Sequence, residues 1–433
     1  MSGIVTLVGM GCGAWDTLTI EGAEALRNAD AVLGAARLLD ALPDCCTSTR
    51  VAEVGADALA RLLRENTWAN PCVVYSGDTG FYSGARLLTP LLDASGIAYR
   101  LIPGVSSVQI LSARLGRPWH DWGLYSAHSA ALDAVSAVSR GKAAFFLTGT
   151  NTPSALCAQL AAAGLGNLSV TVGENLGTPQ ERITRTTARE AAVSEYARLS
   201  VLLAEAAPEV YPAREPGIPD ADFVRGGVPM TKQEVRAAVL AKLAVRPGDT
   251  LWDVGAGTGS VSVELSRAAY RGRVYAVERD AEACTLVRRN REKFGAWNLT
   301  LTEGIAPEAL KALPVPDGVF VGGSRGGLAG ILETAFGRNP RARVCVAAVT
   351  LETLSGAVNA LTARGLEAEV CQISVSRTRK AGNARLLTAQ NPVFLITADS
   401  NALNGGAPDS IGTVTDANAP DSVDGVTDTG GGA

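Results

Sequence analysis

The chain has 433 residues, of which 47% are hydrophobic and 19% charged, and its formal net charge is −4. That length exceeds one ordinary core, so two or three domains are expected. The acidic balance argues against a nucleic-acid-binding protein, and no apolar run is long enough for a transmembrane helix. The eight cysteines form no C-x-x-C pair and there are two histidines, so we expect no metal site and a reduced, cytoplasmic location.

Four predicted strands in the first half end in small or polar residues. The first, residues 4–8, leads into a glycine loop at 9–13 and a helix from about residue 20 to 28. Strands at 71–75, 99–102 and 143–147 end in S-G-D-T-G-F-Y, P-G-V-S-S and T-G-T-N-T-P. Because ligands of open α/β sheets bind beyond the carboxyl ends of the strands, these four loops predict one shared crevice.

Taken together, G-x-G near the N-terminus, S-G-D-x-G-F-Y, P-G-V-S-S and E-N-L-G-T-P-Q-E-R-I at 174–183 resemble the tetrapyrrole (corrin and precorrin) methylase family. The resemblance runs to about residue 204 and implies two α/β lobes with S-adenosylmethionine (SAM) in the cleft between them. Cys12 and Thr79 stand where the family usually has proline, but the glycines and the carboxylate are kept. The implied cofactor contacts are Gly9, Gly11, Cys12, Gly13, Asp78, Phe81, Ser106 and Ser107.

Cationic side chains are candidates for substrate binding, because a macrocycle with many carboxylates needs several positive partners. In the first half, His128 is one candidate, and the same question arises for Arg114, Arg117 and Arg182. For each of them the alternative is a surface or capping side chain with no role in binding.

The second half begins after a proline-rich stretch, residues 208–217, which predicts a linker. Thr231 and Glu234 have capping-box spacing before a predicted helix at 232–243, which should cover the strand at Trp252. Residues 250–265 predict a strand, a tight glycine turn and a helix. The next strand ends in Glu278, which is placed to accept hydrogen bonds from ribose hydroxyls. Further strands are predicted at 298–302, 317–321, 344–349, 368–376 and 392–397.

The glycine turn does not match the dinucleotide pattern G-x-G-x-x-G, because Ser260 occupies its last position. D-x-G-x-G-x-G instead resembles motif I of Rossmann-like SAM methyltransferases. With P-M-T-K, E-G-x-A-P-E, V-G-G-S and N-P-V-F, this half resembles the decarboxylating precorrin methyltransferases of cobalamin biosynthesis. The implied SAM contacts are Thr231, Gly255, Ala256, Gly257, Thr258, Gly259, Glu278 and Ala306.

Substrate carboxylates in the second half have five candidate partners, for each of which a solvated surface charge is the alternative: Arg236, Arg325, Arg377, Arg379 and Lys380. Arg325 is favoured because a glycine loop carries it. No residue is assigned as the acid or base of a decarboxylation.

The two resemblances together predict an α/β protein in which a two-lobed tetrapyrrole methylase domain (1–207) precedes a Rossmann-like methyltransferase domain (218–398), each with a SAM site. They imply methylation of meso carbon 5 by the first domain, and methylation of carbon 15 with loss of the ring C acetate carboxyl by the second, converting precorrin-6B to precorrin-8. We expect a small-molecule substrate, a homo-oligomer, and neither nucleic acid nor membrane as a partner.

Three alternatives stay open. The substrate could be another tetrapyrrole intermediate, such as the cobalt-containing equivalent, or the chain could be a SAM-binding sensor with a degenerate first half. An RNA methyltransferase is disfavoured by the acidic charge balance. Residues 399–433 are poor in large apolar side chains, which predicts a disordered acidic tail.

Overall fold

The computed structural model describes residues 3–46, 48–127, 132–208 and 216–398. The candidate His128, most of the predicted linker and the predicted tail at 399–433 lie outside these residues. Within the described ranges, no helix combines the length and the apolar character needed to cross a membrane.

The first sheet has five parallel strands in the order β3-β2-β4-β1-β5. Strand β1, an interior strand between β4 and β5, is buried along its whole length, as is usual for parallel sheets that carry helices on both faces. The strands are β1 Val5–Gly9, β2 Ala31–Gly34, β3 Thr49–Ala52, β4 Pro71–Tyr75 and β5 Tyr99–Ile102. The helices are α1 Ile20–Arg27, α2 Ala36–Asp40, α3 Ala56–Glu65, α4 Ala85–Ala94 and α5 Ser107–Leu115.

A second, mixed sheet follows with the order β6-β7-β10-β8-β9. Strands β6 and β7 run parallel, whereas β10 is antiparallel to both of its neighbours. The strands are β6 Gly123–Ser126, β7 Ala144–Leu147, β8 Ser169–Glu174, β9 Arg182–Thr187 and β10 Ser200–Ala204, with helices α6 Ala134–Val138, α7 Pro153–Leu160 and α8 Ala188–Ala191. The strand predicted at 143–147 therefore belongs to a different sheet from the other three that were expected to share its crevice.

The second half forms a seven-stranded sheet in the order β13-β12-β11-β14-β15-β19-β16, whose first five strands are parallel. Strands β17 and β18 form a separate hairpin, which was not predicted from the sequence. The strands are β11 Thr250–Val254, β12 Arg273–Glu278, β13 Leu299–Glu303, β14 Gly318–Val321, β15 Arg343–Ala348, β16 Glu369–Ile373, β17 Ser376–Ala381, β18 Ala384–Ala389 and β19 Val393–Ala398. The helices are α9 Gln233–Lys242, α10 Ser260–Ala268, α11 Ala281–Lys293, α12 Leu328–Arg338 and α13 Leu351–Thr362. The predicted α/β class is confirmed.

Helix α9 packs on the face of β11 that carries Leu251, so it covers the strand at Trp252 as predicted, although not the Trp252 side chain itself. Val235 and Val239 of this helix pack in the same core as Leu251. Trp252 packs on the opposite face of the sheet, against residues of α12 such as Ile331. Neighbouring residues of a strand point to opposite faces, so a helix that covers Leu251 cannot also cover the Trp252 side chain.

Trp297, which lies between α11 and β13, joins the two halves of the chain. Its side chain is 9% exposed and packs into the core of the second sheet's helices, with Leu165 among its neighbours. Its indole N–H donates to the Pro208 carbonyl at 3.5 Å. Nearby, Arg273 donates to Asp133 at 2.6 Å across the same boundary. The two halves therefore share a packed interface.

Replacing Trp297 by alanine should lower the free energy of unfolding by about 3–5 kcal/mol, the usual cost of truncating a buried tryptophan. Urea unfolding of the full chain measures the loss. Trp119→Ala is the matched control, because Trp119 is 38% exposed, and it should cost less than about 1 kcal/mol. Equal losses in the two variants would show that Trp297 does not hold the halves together.

Candidate active sites

A cleft of about 1010 Å³ opens between the first two sheets. The loops that follow β1, β4 and β5 line one side of it, and these strands are neighbours in the first sheet. The loop after β7, together with residues 173–178 and 198–201, contributes from the second sheet. The shared crevice predicted from the four strand ends is therefore confirmed, although one of its walls belongs to the other sheet.

Six of the eight first-half residues predicted to contact SAM line this cleft, namely Gly11, Cys12, Asp78, Phe81, Ser106 and Ser107. Gly9 lies behind it against the loop after β5, where an added Cβ would stand 2.7 Å from the Gly104 nitrogen. Gly13 ends the loop after β1 and has a φ of +95°, a conformation that favours glycine. The structure thus groups these residues around one space.

Asp78 braces two of the loops that form the cleft. Its Oδ1 accepts the Gly80 N–H at 2.8 Å, and its Oδ2 accepts the Gly104 N–H at 3.0 Å. Ser106 caps α5 in a capping box with Gln109. The Asp78 carboxylate is therefore part of the frame that positions the loop after β5.

The three first-half arginines raised from sequence are each paired with a glutamate. Arg114 donates to Glu181, Arg117 to Glu205 and Arg182 to Glu174, each at 2.6 Å. The hydrogen bond from Arg182 lowers the pKa of the buried Glu174 carboxyl. These guanidiniums are already neutralised, so they do not offer free charge to a substrate.

Two other arginines, which no sequence motif marked, line the cleft. Arg37 lies on α2 and Arg198 lies just before β10. Neither forms an ion pair or a hydrogen bond with any other residue that the structure describes. Single arginines among apolar residues, as in A-A-R-L-L and Y-A-R-L, match no binding motif, so only the fold identifies these two.

The second candidate site is the glycine loop between β11 and α10. Gly255, Gly257 and Gly259 have φ values of +74°, +56° and +74°, which side chains rarely adopt. An added Cβ at Gly255 would lie 2.5 Å from the Gly323 carbonyl oxygen, so the loops after β11 and β14 touch. The Gly257 N–H donates to Glu278 Oε2 at 2.9 Å, which brings the loop and the end of β12 together.

The other second-half residues predicted to contact SAM differ in how deeply they are buried. Ala256 is half-buried, whereas Thr258 is 1% exposed and its hydroxyl has no partner within the described part of the chain. Ala306 is half-buried, and its carbonyl lies 3.3 Å from the position of a Cβ on Gly327. Thr231 is half-buried, and its carbonyl accepts from Arg236 at 2.5 Å.

Arg236 is not available to a substrate, which corrects the expectation from sequence. It is fully buried, donates to Asp220 at 2.8 Å and to Glu264 at 2.7 Å, and stacks over Phe223 with 4.7 Å to the ring centroid. It also donates to the carbonyls of Ile218 and Thr231. A buried guanidinium needs this many partners, because burial of an unpaired charge is costly.

The expected capping box at Thr231 and Glu234 is also absent from this part of the structure. Helix α9 begins at Gln233 with Lys232 as its N-cap, and no side chain caps it locally. Asp220 instead accepts the Gln233 N–H at 3.0 Å, while Glu234 pairs with Arg377 at 2.6 Å. A remote carboxylate has taken the place of the local cap.

The remaining second-half cations differ in their availability. Arg377 is held by Asp220 and Glu234. Arg379 and Lys380 are exposed on the separate hairpin, and Arg325 is exposed in the loop after β14 with a φ of +44°. Within the described residues none of these last three forms an ion pair. Arg325 is two residues after Gly323, whose carbonyl lies against Gly255 of the glycine loop.

Asp253, which precedes the glycine loop, is fully buried. Ser262 donates to its Oδ2, whereas its Oδ1 has no partner among the described residues. Burial raises the pKa of this carboxyl to about 7. The folded chain therefore keeps this proton at pH values where the unfolded chain has lost it.

Asp253→Asn should change how stability depends on pH. The Asp253 carboxyl has a pKa of about 4 in the unfolded chain. Between that value and its higher pKa in the folded chain, the free energy of unfolding of the wild type falls as pH rises, because only the unfolded chain releases the proton. The variant cannot ionise, so its stability relative to wild type should be higher at pH 8 than at pH 5 by about 3 kcal/mol. Urea unfolding at both pH values measures this. An equal difference at pH 5 and pH 8 would contradict the shifted pKa.

Arg236→Met should lower the free energy of unfolding by about 3–5 kcal/mol, because it leaves the buried Glu264 carboxylate without a cation and leaves Asp220 with Arg377 alone. Chemical denaturation monitored by circular dichroism measures the loss. Arg379→Met on the exposed hairpin is the matched control and should change stability by less than about 0.5 kcal/mol. A small loss for Arg236→Met would mean that the pairs contribute little.

Comparison with known proteins assigns both halves. Residues 5–192 match the Tetrapyrrole (Corrin/Porphyrin) Methylases family and residues 221–399 match the Precorrin methyltransferase domain. A Pyrobaculum calidifontis protein named "Probable cobalt-precorrin-6B C(15)-methyltransferase (decarboxylating)" is 49% identical over 43% of this chain and 98% of its own length. A Sinorhizobium protein named precorrin-6Y C(5,15)-methyltransferase [decarboxylating] is 34% identical over 61% of this chain and 64% of its own.

Among solved structures, a precorrin-6y C5,15-methyltransferase from Geobacter metallireducens GS-15 is 41% identical in sequence over 42% of this chain and 96% of its own, with a TM-score of 0.41. With a relative that is 49% identical along almost its entire length, and a family match in each half, the chain belongs to the decarboxylating precorrin methyltransferases.

Proposed function

We propose that this chain is a SAM-dependent methyltransferase of cobalamin (vitamin B12) biosynthesis that acts twice on one tetrapyrrole. It methylates meso carbons 5 and 15 of precorrin-6B and removes the carboxyl of the ring C acetate, giving precorrin-8. Residues 1–207 carry out the methylation at carbon 5. Residues 218–398 carry out the methylation at carbon 15 and the decarboxylation.

The observation that supports this proposal is that each half of the chain contains its own candidate site. The first is the cleft between the first two sheets, and its volume of about 1010 Å³ is large for a small-molecule site. The second is the glycine loop with Glu278 at the end of β12. The family matches divide the chain in the same way, with one family for each site.

Each site has features that suit SAM. In the first, the loops after β1, β4 and β5 present backbone groups to the cleft, and Asp78 holds two of them in place. In the second, Glu278 Oε2 already accepts one N–H from the glycine loop, and carboxylate oxygens can accept further hydrogen bonds from ribose hydroxyls. Ala306 is placed to contact the adenine of SAM. The loop around Gly323, which touches the glycine loop at Gly255, is placed beside the transferred methyl.

Bound SAM would supply a methyl group that its sulfonium has already activated. The chain itself then needs no nucleophilic side chain, because the attacking atom is an electron-rich carbon of the macrocycle. What its residues contribute is the position of two bound molecules relative to each other, together with electrostatic stabilisation. Arg325 is our candidate for holding a substrate carboxylate in the second site, since its charge is exposed and unpaired within the described chain.

The main alternative is the same chemistry on the cobalt-containing equivalent of the substrate. The name of the Pyrobaculum relative refers to a cobalt-precorrin and that of the Sinorhizobium relative to a precorrin.

We further propose that the enzyme is cytoplasmic, that it self-associates, and that its partners do not include nucleic acid.

Mass spectrometry of the product formed from purified enzyme, SAM and precorrin-6B tests the proposal. Wild type should add two methyl groups and lose one carbon dioxide. Asp78→Ala removes the acceptor that joins the loops after β4 and β5, so methylation at carbon 5 should be at least about tenfold slower. Gly257→Val puts a β-branched residue at positive φ, so methylation at carbon 15 and decarboxylation should be lost.

The activity that each variant retains is its internal control for folding. Asp78→Ala should still decarboxylate, and Gly257→Val should still bind S-adenosylhomocysteine at one site per chain by calorimetry, where wild type binds at two. A wild-type product with a single added methyl and an intact carboxyl would overturn the two-site assignment. Loss of both activities in both variants would overturn the division of labour between the halves.

A further inference from the structure

The cleft between the first two sheets is poor in charge. Among the residues that line it, Arg37, Asp78 and Arg198 are the ionisable ones with a full charge at neutral pH. Asp78 uses both of its oxygens on backbone N–H groups of the loops. Arg37 and Arg198 are therefore solvent-exposed residues of the cleft lining that have no carboxylate to neutralise them in the described part of the chain.

This arrangement differs from that of other arginines in the same half. Arg114, Arg117 and Arg182 each hold a glutamate at 2.6 Å, so the fold uses them as structural ties. Arg37 and Arg198 have no such partner among the described residues, and each lines the cleft. A cation that a fold leaves unpaired inside a large cleft is free to meet an anion that enters it.

The two side chains come from different walls. Arg37 is on α2, which follows β2 of the first sheet, and its Nη1 lies 3.9 Å from the position of a Cβ on Gly13. Arg198 lies two residues before β10 of the second sheet and next to Leu199, whose carbonyl accepts the Asn175 N–H at 2.8 Å. A ligand that reached both guanidiniums would span the cleft and would need at least two separate anionic groups.

Burial by the surrounding walls lowers the pKa of Arg37, and no carboxylate offsets it. Its guanidinium stays charged at neutral pH, because the pKa of arginine starts above 12. Arg37 and Arg198 both keep exposed surface, so an anion that enters the cleft from solvent can reach them.

We propose that Arg37 and Arg198 bind two carboxylates of the tetrapyrrole at the carbon 5 site, one from each wall, and so determine how the macrocycle is oriented. This assignment rests on the proposed function, because it takes the cleft to be the place where the macrocycle binds. The ligand class is a planar macrocycle with carboxylates spread around its rim. The guanidiniums act as specificity-determining groups and take no part in transferring the methyl.

Fluorescence titration of the full chain with uroporphyrin III, a porphyrin with eight carboxylates, tests the binding role without any turnover. Arg37→Gln and Arg198→Gln should each weaken binding at the first-half site by about tenfold or more, the usual effect of losing a charge-assisted hydrogen bond. Arg37→Lys, which keeps the charge but not the fork of donors, should recover part of the affinity. Binding at the second half should persist in all variants.

The matched control is Arg64→Gln, because Arg64 is exposed on α3 and does not line the cleft. Its affinity for uroporphyrin III should stay within about twofold of wild type. In turnover, Arg37→Gln and Arg198→Gln should raise the KM for methylation at carbon 5. The kcat of that methylation and the rate of decarboxylation should stay close to wild type.

Several outcomes would overturn the proposal. It fails if wild type does not bind uroporphyrin III, or if both cleft variants bind it as tightly as Arg64→Gln does. It also fails if Arg37→Gln weakens S-adenosylhomocysteine but not the porphyrin, since Arg37 would then hold the cofactor. If the porphyrin result is as expected but wild type adds only one methyl to precorrin-6B, the carboxylate site stands and the proposed reaction at carbon 5 falls.

Discussion

The second half of the chain depends on how the buried Arg236 is paired. A guanidinium with no exposed surface is tolerated only when carboxylates and carbonyls surround it, and here Asp220 and Glu264 do so. Glu264 lies on α10, directly after the glycine loop, and Asp220 lies in the segment that leads to α9. That segment crosses the glycine loop, where the Pro229 carbonyl is 3.3 Å from the position of a Cβ on Gly257. The geometry of the glycine loop is thus tied to one ion-pair network.

The same requirement for charge pairing separates the arginines that tie segments together from those that we propose as substrate-binding groups. Where a carboxylate is within reach, the guanidinium links distant segments, as Arg182 does with Glu174 and Arg273 with Asp133. Where the fold provides no carboxylate among the described residues, as at Arg37, the charge stays unpaired, and we propose that a ligand pairs with it. Substrates with many carboxylates require this distinction, because a protein cannot bind them with cations that it has already neutralised.

Much of the local structure was predictable. The strands at 71–75 and 99–102 were predicted with the bounds that the structure gives them, because short apolar runs ending in Gly, Pro or Ser are typical of buried strands. The loops that would form the first cleft could also be named, since parallel strands carry their ligand loops at one edge. The hairpin of β17 and β18 was missed because its strands are almost entirely exposed, so no buried apolar pattern marks them.

By itself, the sequence determined the glycine loops, the strands that lead into them, Glu278 and the family to which each half is similar. These are local features, fixed by backbone conformation and by the order of residues over a few positions. Only the tertiary structure decided that Arg236 is buried, that β7 faces the cleft from another sheet, and which arginines stay unpaired. Those outcomes depend on partners far away in the chain, such as Glu205 for Arg117, and a charge's availability is set by what packs beside it.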